Sequence, residues 1–365
     1  MNLQATTTQP NITNILGFNR QAMELWFKER GYKPFHGRNV LKWIHKHGVL
    51  NFDAMTDIGQ RLRAELSLSA IATPPAICLE RTAKDGTRKW LLELNCGNRI
   101  ETVYIPDDNR STLCISSQVG CALNCQFCAT AQQGFNRNLK PEEIIGQVWL
   151  AVRQIGTQRF TDQLTNVVLM GMGEPLANFD NVVKILELLQ DDLAYGLSKY
   201  RITISTAGLV PALRRLRTVC DVNLAVSLHA PNDMLRDQLV PINRKYPIAE
   251  LLSACKYFIE GDKRRKVTFE YVMLDGVNDN DSHARQLIRI LQGIPAKLNL
   301  IPFNPFPGTV YRRSTDTRVE QFRQQLLRGG IMAMTRKTRG DDIEAACGQL
   351  VGQVADRTRR AIINN

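Results

Sequence analysis

Three cysteines stand within eight residues, Cys121, Cys125 and Cys128, in the segment VGCALNCQFCATAQQGF. Their C-x3-C-x2-C spacing brings three soft thiolate donors to one short loop. A structural zinc site takes four ligands, usually as two pairs. An ordinary ferredoxin cluster also takes four cysteines. A [4Fe–4S] cluster held by only three leaves one iron open to a small molecule, and that open iron would be the point of the motif. The alternatives are a zinc site with a distant fourth ligand, or three buried cysteines.

Other chemically able residues follow at intervals. Gly171-Met172-Gly173-Glu174-Pro175 pairs glycines, which let backbone approach a ligand, with a carboxylate able to accept from an ammonium group. Ser205, Ser227, His229 and Asn304 lie farther along. Taken singly, each is equally a loop cap or a turn residue. Cys114 sits seven residues before Cys121, and Cys347 lies near the C-terminus in RGDDIEAACGQL. Free cysteines are usually small buried hydrophobes, which is the reading for Cys78, Cys96, Cys220 and Cys255. Cys347 differs, because acidic residues precede it and Gly348 follows.

The elements that must position these groups alternate. Strand-like runs are STLCISS (111–117), TNVVLM (165–170), RITIST (201–206), NLAVSL (223–228), VTFEYVM (267–273) and LNLIP (298–302). Helical stretches such as EEIIGQVWLAVRQIG and FDNVVKILELLQ separate them. Repeated βα units predict a parallel sheet covered by helices. Six units fit an open or partial barrel better than a closed eight-unit one. In such barrels the chemistry sits at the C-terminal ends of strands, which is where Glu174, Ser205, Ser227, His229 and Asn304 fall.

Upstream, residues 16–67 have helical periodicity, with Met23, Trp26 and Phe27 at i, i+3, i+4 and Val40, Leu41 and Ile44 likewise. Between Arg20 and His47 stand seven Lys/Arg against two Glu, interleaved with Trp26, Phe27, Tyr32, Phe35 and Trp43. The segment reads either as an RNA-binding helical module or as an ordinary helical domain with aromatics in its core. Residues 76–105 alternate apolar and polar, with turns AKDGT and CGN, as in an antiparallel β-meander. The expected organisation is a helical accessory domain (1–72), a β linker (73–106), a core barrel (107–343) and a C-terminal segment (344–365).

Composition bounds the class. The 365 residues suggest about two domains at roughly 150 residues each. With 44% hydrophobic and 22% charged residues, a disordered or collagen-like chain is excluded. No stretch reaches the roughly 18 apolar residues of a membrane helix. The Thr/Asn/Gln-rich start, Met1 to Ile15, argues against a secretory signal. Nine cysteines, an odd number, argue against a disulfide framework and for a reducing cytoplasm. The net charge of +12 suggests a polyanionic partner, or serves solubility alone. Basic runs at KRRK (263–266), RR (312–313) and RKTR (336–339) suit either a phosphate backbone or a solvated face.

The cysteine spacing, with Phe127 before the last cysteine, resembles the radical S-adenosylmethionine (radical SAM) superfamily. ISSQVGCALNCQFCATAQQGFNRNL, VVLMGMGEPLANFDNV, ITISTAGLVP, LAVSLHAPND, LRDQLVPIN, FEYVMLDGVND, LNLIPFNPFPG and RGDDIEAACGQL are similar to the RlmN/Cfr family of adenosine methyltransferases. One departure is Ala207, where family members often carry Ser.

The resemblance implies a partial (β/α)6 radical SAM barrel, α/β in class, with a [4Fe–4S] cluster on Cys121, Cys125 and Cys128. It implies S-adenosylmethionine (SAM) contacts from Gly173, Glu174, Ser205, Ser227, Leu228, His229 and Asn304. It implies that Cys347 takes a methyl from one SAM and loses a hydrogen atom to a radical made from a second. The carbon then adds to adenine, and Cys114 attacks the Cys347 sulfur to release the product and leave a transient Cys114–Cys347 disulfide. Glu101, in RIETVYIP, matches the family's proposed proton acceptor. The implied substrates are an adenosine of the 23S rRNA peptidyl-transferase centre and the adenosine 3′ of the tRNA anticodon, each turned out of its stack. A flavodoxin-like electron donor and a monomeric state are expected. The rivals are C8 methylation of the same adenosine, another radical SAM activity such as glycyl-radical activation, and a non-catalytic RNA-binding iron–sulfur protein.

Overall fold

The computed structural model describes residues 12–108, 110–156, 164–262 and 264–356. Most of the first fifteen residues, read above for a signal, and Lys263 of the basic run lie outside them. Among the described residues no helix is long and apolar enough to cross a membrane.

Contacts divide the chain into two compact units. Of the described residues, the first comprises 12–75, 140–156 and 184–197. Its helices Arg20–Lys28, Pro34–His45 and Gln60–Ser69 match the predicted helical stretch. Asn19 caps the first through its side chain. Trp26 and Phe27 are buried while Phe35 is exposed, so the interleaved aromatics divide between core and surface. The helix Pro141–Ile155 belongs to the same unit, where Trp149 Nε1 donates to the Ile44 carbonyl at 3.0 Å.

The second unit carries a ten-stranded sheet. Its strands are β1 (Ala76–Thr82), β2 (Arg88–Glu93), β3 (Arg99–Asp107), β4 (Arg110–Cys114), β5 (Asn166–Leu169), β6 (Ile202–Thr206), β7 (Asn223–Ser227), β8 (Val267–Met273), β9 (Ala296–Pro302) and β10 (Met332–Thr335). They pair in sequence order. β4 to β10 are parallel, whereas β1 to β4 are antiparallel. All six predicted parallel strands are present, and β10 adds a seventh at the edge. The meander is not a separate connector: β3 pairs directly with β4, so it extends the barrel sheet.

Parallel pairing requires a crossover between successive strands. The helices Val210–Val219, Ile248–Ile259, Asp281–Leu291 and Asp316–Arg328 serve as such crossovers. Their buried faces, such as Leu213 and Leu216 or Val319, Phe322 and Leu326, follow the helical period. Strand alternation sends Thr268, Glu270 and Val272 to one face of β8 and Phe269 and Tyr271 to the other.

Candidate active site

One cavity lies at the C-terminal ends of β4 to β9. Its lining includes Cys121, Cys125, Cys128, Gly173, Glu174, Ser205, Ser227, His229, Asn304 and Cys347. Ten of the thirteen expected site residues therefore converge.

The cysteine loop is anchored from several sides. A short hairpin, Gln118–Gly120 with Phe135–Asn138, frames it. Cys121 N donates to Gly134 O at 2.7 Å, and Gln126 N to Leu239 O at 3.1 Å. Leu123, Cys125 and Phe127 pack on a buried cluster containing Ala230, Val240 and Phe303. Burial pushes the Cys125 thiol up, and Cys121 and Cys128 push it further. Three crowded thiols in an apolar seat favour thiolate only with a metal counter-charge. Among the described residues no three His, Cys, Asp or Glu side chains converge as ligands of a single metal ion. Three thiols on one cavity wall are the donors that an iron–sulfur cluster would take, one for each iron.

The segment after β5 folds against the start of this loop. A Cβ on Gly173 would lie 2.4 Å from the Gln118 Cβ, and the residue has φ +96, so only glycine serves there. Glu174 is buried. Its Oε1 accepts from Leu176 N at 3.1 Å and its Oε2 from Ala207 N at 2.8 Å. Burial nonetheless raises its carboxyl to about 7. Ala207 gives its N–H to Glu174 and its carbonyl to Arg236, and its methyl belongs to the buried cluster beside the cavity.

Arg236, which the sequence reading did not single out, organises the adjoining loops. It is fully buried on the short helix Asp233–Leu239. Nε donates to Leu228 O at 3.1 Å, and Nη2 to Ala207 O at 2.6 Å and Ser227 O at 3.0 Å. Nη1 donates to Asn243 Oδ1 at 2.9 Å. Burial lowers its guanidinium to about 10, against the pull of nearby Cys125. Leu228 is thus buried beside the cavity rather than lining it.

His229 has φ +57, and its Nδ1 accepts from Val272 N at 3.0 Å. That bond places the ring proton on Nε2. Burial, and then Arg236, depress it to about 3, so it is neutral at any ordinary pH. Phe127 packs edge-on against it at 4.3 Å between ring centroids. Among the described residues of the lining, Asn304 Oδ1 is buried with no hydrogen-bond partner, and Glu270 Oε2 has only the Arg336 cation 3.6 Å away. Such an acceptor in a largely apolar cavity suits a ligand that brings hydroxyl, amine or ammonium donors.

Cys347 arrives from the C-terminal tail and is exposed. Asn304 Nδ2 donates to its carbonyl at 3.2 Å, and Ala129 N donates to Gly348 O at 2.8 Å. Cys114, at the end of β4, lies off the cavity lining. Burial pushes its thiol to about 12, and nearby Cys347 adds to the shift. Arg336 lines the cavity next to Glu270, 3.6 Å from Oε2. Its cation is held charged first by Cys347, then by Glu270 and Cys114.

Three expectations are corrected or displaced. The implied Cys114–Cys347 bridge is not among them, since it is a transient one that would follow turnover, and none of the nine cysteines is disulfide-bonded in this structure. Cys78 and Cys96 are exposed, not buried: one is on the edge strand β1, the other in the turn before β3. Glu101 does not reach the main cavity, but lines a second one with Lys89, Arg81, Glu344 and Val351. Of the basic runs, Arg265 is buried and paired with Asp221, and Arg339 faces Asp107 at 3.4 Å; Arg312 and Lys337 are exposed.

Residues 115–288 match the model of the Radical SAM superfamily, and residues 13–72 that of the "Ribosomal RNA large subunit methyltransferase N-terminal domain". The chain is 54% identical over 360 residues to the dual-specificity RNA methyltransferase RlmN of Xylella fastidiosa, covering 95% of this chain and 89% of that protein. The chain belongs to the RlmN family of radical SAM methyltransferases. Its fold also matches the crystal structure of a radical SAM methyltransferase from Sphaerobacter thermophilus, with TM-score 0.86, 41% identity, and coverage of 93% of this chain and 99% of that one. In RlmN-family terms Arg236, Glu270 and Arg336 are additions to the expected set. Glu270 had one legible signal, a charge within a strand that otherwise reads as apolar, whereas Arg336 follows β10 and had none.

Proposed function

We propose that this enzyme methylates ring carbon C2 of an adenosine, in the 23S rRNA peptidyl-transferase centre and next to the tRNA anticodon, through a carbon carried on Cys347. The observation that carries the reading is the presence of the Cys347 thiol in the same cavity as the three-cysteine loop and Glu174. The dual specificity in the name of the Xylella fastidiosa relative supports the two RNA classes. The +12 charge agrees with a phosphate-rich partner in the cytoplasm.

Cys121, Cys125 and Cys128 would hold a [4Fe–4S] cluster, with Glu174, Ser205, Ser227, His229 and Asn304 around SAM. When reduced, by a donor such as a flavodoxin, that assembly supplies a carbon radical able to remove a hydrogen atom. The protein's own work is then to carry carbon. C2 of adenine is electron-poor and does not attack a sulfonium methyl as a nitrogen would. The Cys347 sulfur instead displaces the methyl from one SAM, forming a thioether and S-adenosylhomocysteine. After hydrogen removal the thioether carbon bonds to ring C2, and the adduct returns one electron to the assembly that made the radical and loses the C2 proton. Cys114, as thiolate, then attacks the Cys347 sulfur; the sulfur–carbon electron pair stays with carbon, which takes a proton and becomes the new methyl, and the transient Cys114–Cys347 disulfide is reduced before the next turnover. Arg336 pulls the Cys114 thiol back toward the thiolate that its displacement needs, against the burial that raises it.

The test is peptide mass spectrometry of Cys347 in anaerobically prepared protein, with nucleoside analysis of the RNA product. A methyl on Cys347 that is consumed by RNA, with new 2-methyladenosine, is expected. Product on C8 alone overturns the C2 assignment. Full turnover by Cys347→Ala overturns the carrier.

A further inference from the structure

Outside the main cavity stands a buried ion pair that the chemistry above does not use. Lys89 Nζ lies 3.0 Å from Glu101 Oε1, and both side chains are 7% exposed. A buried pair costs more than its attraction returns unless its remaining donors and acceptors are also bonded. Here each member has one further partner, and these partners are informative. Lys89 Nζ donates to Glu344 O at 3.0 Å, and Val351 N donates to Glu101 Oε2 at 2.9 Å. Glu344 and Val351 bracket the loop that carries Cys347.

The loop needs such anchors. Glu344 and Val351 both line two cavities, of about 210 and 300 Å³, so side-chain packing leaves space beside each end. Glu344 also holds φ +54, a conformation disfavoured for a residue with a Cβ. Past Val351 the tail is paired again, with Arg99 and Gln353 exchanging backbone bonds at 2.9 and 3.1 Å.

We infer that the Lys89–Glu101 pair is a clasp that fixes both flanks of the Cys347 loop, making Lys89 and Glu101 positioning residues. The inference rests on the reading of Cys347 as methyl carrier. It also changes the reading of Glu101. Each of its oxygens is committed, one to Lys89 and one to the tail, and neither lines the main cavity. In the clasped state both oxygens are committed to the clasp, so taking a ring proton would require the clasp to open.

The test uses the full-length, cluster-loaded protein and the variants Glu101→Gln, Lys89→Met and Lys89→Arg. Glu101→Gln keeps an acceptor for Val351 but removes the charge from Lys89. Hydrogen exchange by mass spectrometry should be about tenfold faster over residues 344–351 in Glu101→Gln and Lys89→Met. Exchange in β5 to β8 should match wild type. Methyl occupancy on Cys347 after incubation with SAM should fall severalfold in both, and Lys89→Arg should recover most of it. If Lys89→Met does not fold, the near-isosteric Glu101→Gln decides alone. Wild-type exchange over 344–351 in the variants overturns the clasp. So does Glu101→Gln with fully methylated Cys347 that stalls joined to RNA, which would assign Glu101 to the ring proton instead. If wild-type Cys347 never carries a methyl, the functional reading fails while the exchange comparison still judges the clasp.

Discussion

The cavity has two walls that are held in different ways. The wall made by the strand ends is locked from behind. Arg236 alone ties the Ala207, Ser227 and Leu228 carbonyls together, and Glu174 is pinned by the Leu176 and Ala207 amides. The facing wall is the tail, whose thiol is exposed and whose backbone is held by single bonds along the loop and at both of its ends. Groups that only bind a ligand gain from rigidity, since each pre-placed donor costs nothing to order at the moment of use. On the proposed chemistry a sulfur that meets a methyl donor, a base and then Cys114 would change neighbours, and an exposed side chain on a held backbone gives it that travel by rotation about its own bonds.

The largest effect should come from breaking the locked wall. Arg236→Met has similar length but strips four buried acceptors of their donor, Leu228 O, Ala207 O, Ser227 O and Asn243 Oδ1. Each orphaned acceptor costs about 1–3 kcal/mol, partly offset because a cation is no longer buried. The expected loss is about 3–5 kcal/mol in urea denaturation, with SAM binding lost by calorimetry. A variant as stable as wild type would mean that the loops after β6 and β7 hold their shape without the guanidinium.

A smaller effect should separate the walls by pH. Burial lifts Glu174 from 4.5 to about 7. An ammonium partner needs the carboxylate, so SAM affinity should fall as pH drops below about 7, by at most about tenfold per pH unit. Without ligand the sign reverses. Burial then favours the protonated form, so this group's contribution to stability is complete below pH 4.5 and is lost as pH rises through about 7. Calorimetric titration of SAM from pH 5.5 to 8, beside Glu174→Gln, checks both. A wild-type profile as flat as that of the variant would remove Glu174 from the ligand's charge pairing.

The same contrast explains what was legible in the sequence. The strand-end wall could be read because β-branched runs end in glycine, serine and histidine at regular intervals, and Cys121, Cys125 and Cys128 carry their own spacing. The helix Phe179–Gln190 coincides with the predicted run because its apolar period is unbroken. β10 was missed, since four residues with exposed Met332 and Met334 after a Gly-Gly stop read as loop. Arg236 was missed because an arginine in DMLRDQL reads as the solvated side of a helix. The clasp was illegible for a topological reason. Its partners lie 255 and 250 residues apart, brought together only when the antiparallel extension and the tail meet on one sheet. Local pattern carries no trace of such a contact.

The smallest effect should appear on the tail alone. Beyond the clasp, Gln133 Nε2 donates to Gly352 O at 2.6 Å. Gln133 is half-buried, so Gln133→Ala lets water replace part of the lost bond. The cost should be about 0.5–1 kcal/mol, near the net worth of one neutral hydrogen bond. Because the bond joins the tail to the helix Ala129–Gln132 and not to the sheet, the loss should stay local. Exchange over residues 350–356 should quicken by about threefold, while the denaturation midpoint moves within error. If the midpoint instead falls as far as in Arg236→Met, the tail is part of the cooperative core, and the difference between the two walls disappears.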